Sequence, residues 1–113
     1  MEVTKVGNTV TVMVERTIAV GRSYHMYPTY GYMGIMDGVV EVLQIATRDD
    51  VDDEDSLRAI NDFIESSYLE PGDEGYDELL DGYWVQYQYK GILDEPPMWL
   101  PLDLFLDHTL PYL

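Results

Sequence analysis

Residues 53–68 read DEDSLRAINDFIESSY. At about 100° per residue, Leu57, Ile60, Phe63, Ile64, Ser67 and Tyr68 share one side, and Glu54, Asp55, Arg58, Asn61, Asp62 and Glu65 share the other. That division predicts an amphipathic helix with its apolar stripe turned to a core. Arg58 stands four residues after Glu54 and four before Asp62, spacings that allow ion pairs along a helix. Asp52, Asp53 or Asp55 can cap its start, and Pro71-Gly72 ends it.

Working outward, Tyr83-Trp84-Val85-Gln86-Tyr87-Gln88-Tyr89 alternates at period two. It predicts a strand with Tyr83, Val85, Tyr87 and Tyr89 facing inward. A short turn or helix is expected at Tyr76–Leu80. Residues 35–46, IMDGVVEVLQIA, are β-branched and apolar, hence a strand, with a bulge expected at Gly38. Residues 2–20 read as strand, with Val10, Val12, Val14, Ile18 and Val20 in phase and a hairpin turn at Gly7-Asn8. Residues 21–34, GRSYHMYPTYGYMG, read as a loop. In the tail, Leu102, Leu104 and Leu106 alternate like a strand, while Pro101 could equally open a short helix. Together these elements predict an α+β fold over 1–113. It is one domain with a mainly antiparallel sheet of about four to five strands and the 53–68 helix packed on it.

Charge is the compositional outlier. Six Lys and Arg face 22 Asp and Glu, a net charge of −16 at pH 7, in a chain that is 46% hydrophobic. The hydrophobic content separates it from a disordered acidic tail. Such a surface repels nucleic acid and anionic membrane directly and favours a basic protein surface, a cation or very salty solvent. Cysteine is absent, so disulfides and thiolate zinc sites are excluded and a cytoplasmic setting is expected. The N-terminal stretch lacks the apolar run of a signal peptide, and no segment approaches the ~18 apolar residues of a membrane helix.

The densest acid is Asp49-Asp50-Val51-Asp52-Asp53-Glu54-Asp55. Capping needs only one or two of these carboxylates, and like charges side by side oppose folding. An EF-hand loop beginning at Asp50 would place Asp55 where glycine is required and Asn61 where the bidentate glutamate belongs. No calcium loop, and no metal site, is therefore expected. Phosphate mimicry remains. Asp55, Asp62 and Glu65 follow the exposed side of the helix, Asp49, Asp50, Asp52 and Asp53 extend the row before it, and Glu70, Asp73, Glu74, Asp77, Glu78 and Asp81 continue it. Carboxylates three or four residues apart on a helix lie about 5–6 Å apart at Cβ.

In general character this composition is similar to small phage-encoded inhibitors of host nucleases and of bacterial immunity complexes, several of which imitate DNA. The similarity carries no motif. It implies an anti-CRISPR or anti-restriction type of decoy, phage or mobile-element encoded, that blocks the basic nucleic-acid-binding groove of a host protein. Two alternatives share the charge: an immunity protein or antitoxin neutralising a basic nuclease toxin, and an accessory protein of a halophile with a diffuse acidic shell.

The loop at 23–34 holds Tyr24, Tyr27, Tyr30 and Tyr32 with Met26 and Met33. Tyr and Met are enriched at interface cores, which makes these tyrosines candidate partner contacts; the alternative is that they fold back over the sheet. Catalysis and cofactor binding find no support. His25 and His108 lack ligand spacing. Ser23, Ser66 and Ser67 lack a nucleophile elbow, and Gly31, Gly34 and Gly38 form no P-loop. The apolar tail, 98–113, is expected to cover the sheet of its own domain, with a homodimer seam as the alternative.

Overall fold

A computed structural model describes residues 3–7, 9–12, 16–27, 37–67, 70–91 and 96–111. In chain order the elements are β1 (Val3–Val6), β2 (Thr9–Val12), β3 (Arg16–Ala19), β4 (Ser23–Met26) and β5 (Gly38–Thr47). A 3-10 turn (Arg48–Asp50), α1 (Glu54–Ser66), α2 (Glu74–Asp81) and β6 (Tyr83–Tyr89) follow. The chain closes with β7 (Met98–Pro101), α3 (Leu102–Asp107) and β8 (Thr109–Pro111). A five-stranded sheet of order β7-β6-β5-β4-β8 forms the body, and a three-stranded sheet, β1-β2-β3, accompanies it. Every pairing is antiparallel. The α+β expectation is met, with α1 one to two residues shorter at each end than the periodicity suggests.

The N-terminal hairpin forms at the expected place. Gly7 has φ 59°, and Val6 faces Thr9 across the turn, a two-residue connection that favours positive φ. The continuous strand expected through 20 is instead divided. β2 ends at Val12 and pairs back onto β3, with Val12 opposite Arg16 and Val10 opposite Ile18. The alternation stays in phase through this second reversal, which hides it from a period-two reading. Met13, Val14 and Glu15 lie outside the described residues.

A second correction concerns residues 23–26. They form β4, an inner strand between β5 and β8, rather than part of a loop. A third concerns the bulge. The β5–β6 register slips between Val42 and Gln44, at Leu43, not at Gly38. The extra residue re-phases the strand. Val40 and Val42 pair with Tyr89 and Tyr87, and Ile45 pairs with Val85, so all three enter the same core cluster despite their mixed parity. Gly38 serves close approach instead: a Cβ there would sit 3.3 Å from Cδ1 of Tyr89.

The sheet is buried on both faces. On one, Val40, Val42, Ile45, Val85, Tyr87 and Leu100 pack with Ile18 of β3 and with Leu102, Phe105 and Leu106 of α3. On the other, Ala46, Trp84 and Trp99 meet Val51 and the inner stripe of α1, Ile60 and Ile64, with Leu57, Phe63, Tyr76, Leu79 and Leu80 against them. β6 therefore serves two cores by alternation. Val85, Tyr87 and Tyr89 enter the first and Trp84 the second, and both Tyr87 and Trp84 are fully buried.

The tail resolves as strand, helix, strand. Pro101 precedes α3, and Leu102, Phe105 and Leu106 are its buried residues, the i, i+3, i+4 spacing of a helix rather than the alternation of a strand. β7 and β8 close the two edges of the main sheet. Trp99, Leu100, Leu102, Phe105 and Leu106 are all buried within the chain's own core. Among the described residues, no helix is long and apolar enough to cross a membrane.

The bulge makes a prediction. Deleting Leu43 leaves a regular ladder with every observed pair intact, so this variant should fold cooperatively with a modest loss of melting temperature. Deleting Gln88, from the regular part of β6, puts Tyr87 and Tyr89 out of phase and should abolish cooperative unfolding. Circular dichroism melts of the two variants check this; equal damage from both deletions would contradict the register.

Candidate protein-interaction surface

Residues 49–81 contain 14 of the 22 acidic side chains and one cation, Arg58, a net of −13. The other 80 residues carry eight acids and five cations, a net of −3. This segment spans most of the 3-10 turn, α1 and α2, and its larger apolar side chains pack on one face of the main sheet. Most of the chain's charge therefore lies on a single helical layer.

The layer is built by splitting each element between core and solvent. In 49–55, Val51 is buried while Asp49, Asp50, Asp52, Asp53, Glu54 and Asp55 are exposed around it. Arg48 ties the turn to α1 by donating from Nε to Asn61 Oδ1 at 2.9 Å. Along α1, Asp62 and Glu65 are exposed on the side opposite Ile60 and Ile64. Arg58 pairs with Asp55 at 3.5 Å, three residues away, rather than in the i,i+4 pairs expected with Glu54 and Asp62. Both partners are well exposed, so this contact contributes little. On α2, Glu74, Asp77, Glu78 and Asp81 occupy i, i+3, i+4 and i+7 positions, and Asp77 and Asp81 are exposed. The side chains of Glu74 and Glu78 lie outside the described set.

Among the described residues of this segment, Asp50, Asp53, Asp55 and Asp73 have local structural partners. Asp50 Oδ2 accepts from Thr47 Oγ1 at 3.1 Å. Asp53 caps α1, its Oδ2 accepting from the Ser56 backbone N–H at 3.0 Å. Asp55 meets Arg58. Asp73 Oδ2 accepts from the Glu70 N–H at 2.9 Å in the turn before α2. By contrast, the side chains of Asp49, Asp52, Asp62, Glu65 and Asp77 make no hydrogen bond or ion pair among the described residues. Glu70 is exposed beside Pro71 and Gly72. No three His, Asp or Glu side chains among the described residues converge on a point that could hold a metal ion.

The tyrosines divide. Tyr24 is 1% exposed, edge-on to Phe105 with centroids 6.0 Å apart, and its hydroxyl accepts from the Ala19 N–H at 3.1 Å. As a core residue it cannot contact a partner, which corrects its place among the candidate contacts. Its position in β4 is the cause, since Tyr24 and Met26 point inward. Tyr27 is 44% exposed. Tyr30 and Tyr32 lie outside the described residues. His25, expected in a loop, lies in β4, where its Nε2 donates to Asp37 Oδ1. His108 caps the C-terminal end of α3 and is buried.

No family model, curated protein or solved structure matches this chain.

Asp53 supplies a pH test. The Ser56 hydroxyl, and then the Ser56 backbone N–H, hold its carboxyl below the ordinary value of 3.8. A lowered folded-state pKa stabilises the fold above the unfolded value, and that contribution is lost as pH falls through the folded value. Asp53→Ala should therefore lower the melting temperature at pH 7 by roughly 5 °C, and Asp53→Asn by less. The gap between wild type and the alanine variant should close as the pH is taken from about 5 to about 2. Calorimetry across that range decides; a pH-independent gap would exclude the cap as its source.

Proposed function

We propose that the protein is a non-catalytic acidic decoy that occupies the cationic, nucleic-acid-binding groove of another protein, of the host-defence or nuclease class. The observation that carries this reading is the segregation of charge, −13 of −16 on one helical layer. A diffuse halophilic shell would spread its acid over every face. One strand of nucleic acid carries a charge every ~3.4 Å, so about a dozen phosphates in a row carry a total close to −13. The layer matches that total. It does so as a density and not phosphate by phosphate, because Asp55, Asp62 and Glu65 are unevenly spaced along α1.

Inhibition by this route is competition. The layer steers the protein onto a basic groove, and the rigid sheet beneath keeps the carboxylates in place after contact. Tyr27, exposed just after β4, is a separate candidate contact outside this layer. A phage inhibitor and an immunity protein against a basic nuclease would use the same physics.

The test uses proteins captured from a bacterial lysate on the immobilised chain and eluted with duplex DNA or RNA. Changing Asp49, Asp50, Asp52 and Asp53 together to Asn should preserve the fold, since Asn still caps a helix. Affinity for the captured partner should fall roughly tenfold, mainly through slower association, and with a shallower dependence on salt. Changing Glu2 and Glu15 to Gln should do much less. The protein itself should leave labelled DNA and RNA unshifted in low-salt gels. Equal affinity and salt slope for wild type and the Asn variant, or retarded nucleic acid, would overturn the proposal.

A further inference from the structure

The three-stranded sheet has an open edge at β1, and backbone parity fixes which groups line it. In a two-residue hairpin the residues flanking the turn exchange hydrogen bonds. Val6 therefore bonds Thr9, and, two residues on, Thr4 bonds Thr11. Across β2, Ala19 turns away from Thr9. Its N–H donates to the Tyr24 hydroxyl at 3.1 Å, and its carbonyl accepts from the Arg22 N–H at 3.2 Å. The alternation is the same from either side. The N–H and C=O groups of Val3 and Lys5 thus point out of the sheet, where β1 meets no further strand among the described residues. The other edges are guarded. β7 follows Pro96-Pro97 and ends at Pro101, and β8 ends at Pro111, while the outer groups of Ala19 in β3 are taken by Tyr24 and Arg22. Proline is a usual protection of an edge, and β1 contains none.

We propose that β1 pairs with β1 of a second copy, antiparallel about a two-fold axis, and joins two three-stranded sheets into one. Charge selects this occupant. Residues 1–22 hold Lys5, Arg16 and Arg22 against Glu2 and Glu15, a net of +1, so the other 91 residues carry −17. Two such chains repel each other least at their N-terminal sheets. Ile18 packs that sheet against the face of the main sheet opposite α1 and α2, so docking there keeps the two acidic layers apart. A second copy also presents what the edge requires, an extended strand with its own outward groups. Outward groups must meet outward groups, which sets Val3 opposite Lys5 of the second copy and Thr4 opposite Thr4. The shifted register that sets Lys5 against Lys5 is opposed by like charge. Val6, 73% exposed at the end of this edge, loses exposure on docking. The strand has four residues, so the interface is small and the dimer weak.

A dimer would give the decoy two acidic layers on one scaffold. That bearing rests on the function proposed above, but the dimer itself is tested without a partner. Sedimentation equilibrium of the full chain from about 10 µM to about 1 mM should show a monomer–dimer equilibrium. Raising salt from about 0.05 M to about 0.5 M should strengthen it roughly threefold, because screening relieves repulsion between the copies. Lys5→Pro removes an outward N–H that the hairpin does not use, and should give a monomer with a urea midpoint near wild type. Thr4→Lys keeps every backbone group, sets like charges opposite each other across the axis, and should weaken association several-fold. The chain has no cysteine. Thr4→Cys should therefore be captured by oxidised glutathione as a disulfide-linked dimer, since non-hydrogen-bonded pairs stand about 4.5 Å apart at Cα. Lys5→Cys should yield far less. A wild-type monomer at about 1 mM in both salts, association that survives in both Lys5→Pro and Thr4→Lys, or equal capture of the two cysteine variants would overturn the proposal.

Discussion

Trp84 is where the acidic layer is fastened to the sheet. Its indole is fully buried, edge-on to Phe63 of α1 with centroids 5.5 Å apart, and its Nε1 donates to the Leu79 carbonyl of α2 at 2.9 Å. One side chain thus holds both acidic helices. The opposing force is repulsion within the layer. Neighbouring carboxylates about 6 Å apart repel by roughly 0.7 kcal/mol in water. A fully buried Ile stabilises by about 1.5–3 kcal/mol, so buried Trp84, Ile60 and Ile64, with half-buried Phe63 against them, outweigh several such pairs. Apolar burial below and charge above are separable, which is what lets a chain of net −16 keep an ordinary core.

Much of this architecture was legible where a single element carries its own period. The 53–68 pattern needs no tertiary information: Ile60 and Ile64 are buried and Asp55, Arg58, Asp62 and Glu65 exposed, as the helical angle requires. Tyr83–Tyr89 forms a strand with the expected limits. Other features escaped or stayed ambiguous because their signals are degenerate. β4 has four residues, too few for alternation to stand out among Gly, Pro and Tyr. The bulge at Leu43 lies in a run of apolar residues that reads as strand in either phase. Leu102, Leu104 and Leu106 alternate like a strand while Leu102, Phe105 and Leu106 have helical spacing, and the packing of Phe105 against Tyr24 and Tyr87 goes with the helix.

The acidic surface was legible because charge density is a property of the sequence alone. Its confinement to one layer was not, since that depends on α1 and α2 covering the same face of the sheet. The aromatic contribution was harder to read. Tyr24 and Tyr27 look alike in the sequence, and a three-residue offset across the end of a short strand puts one in the core and leaves the other exposed.

If the acid serves a contact and not the fold, the carboxylates without local partners should be a burden on stability. Urea unfolding of a variant with Asp49, Asp52, Asp62, Glu65 and Asp77 all changed to their amides, in low salt and in molar potassium chloride, measures this directly. The variant should unfold at a higher urea concentration than wild type in low salt, with the difference shrinking as salt screens the repulsion. A variant less stable than wild type, above all in molar salt, would mean that the carboxylates serve solvation or the fold, and would contradict the account.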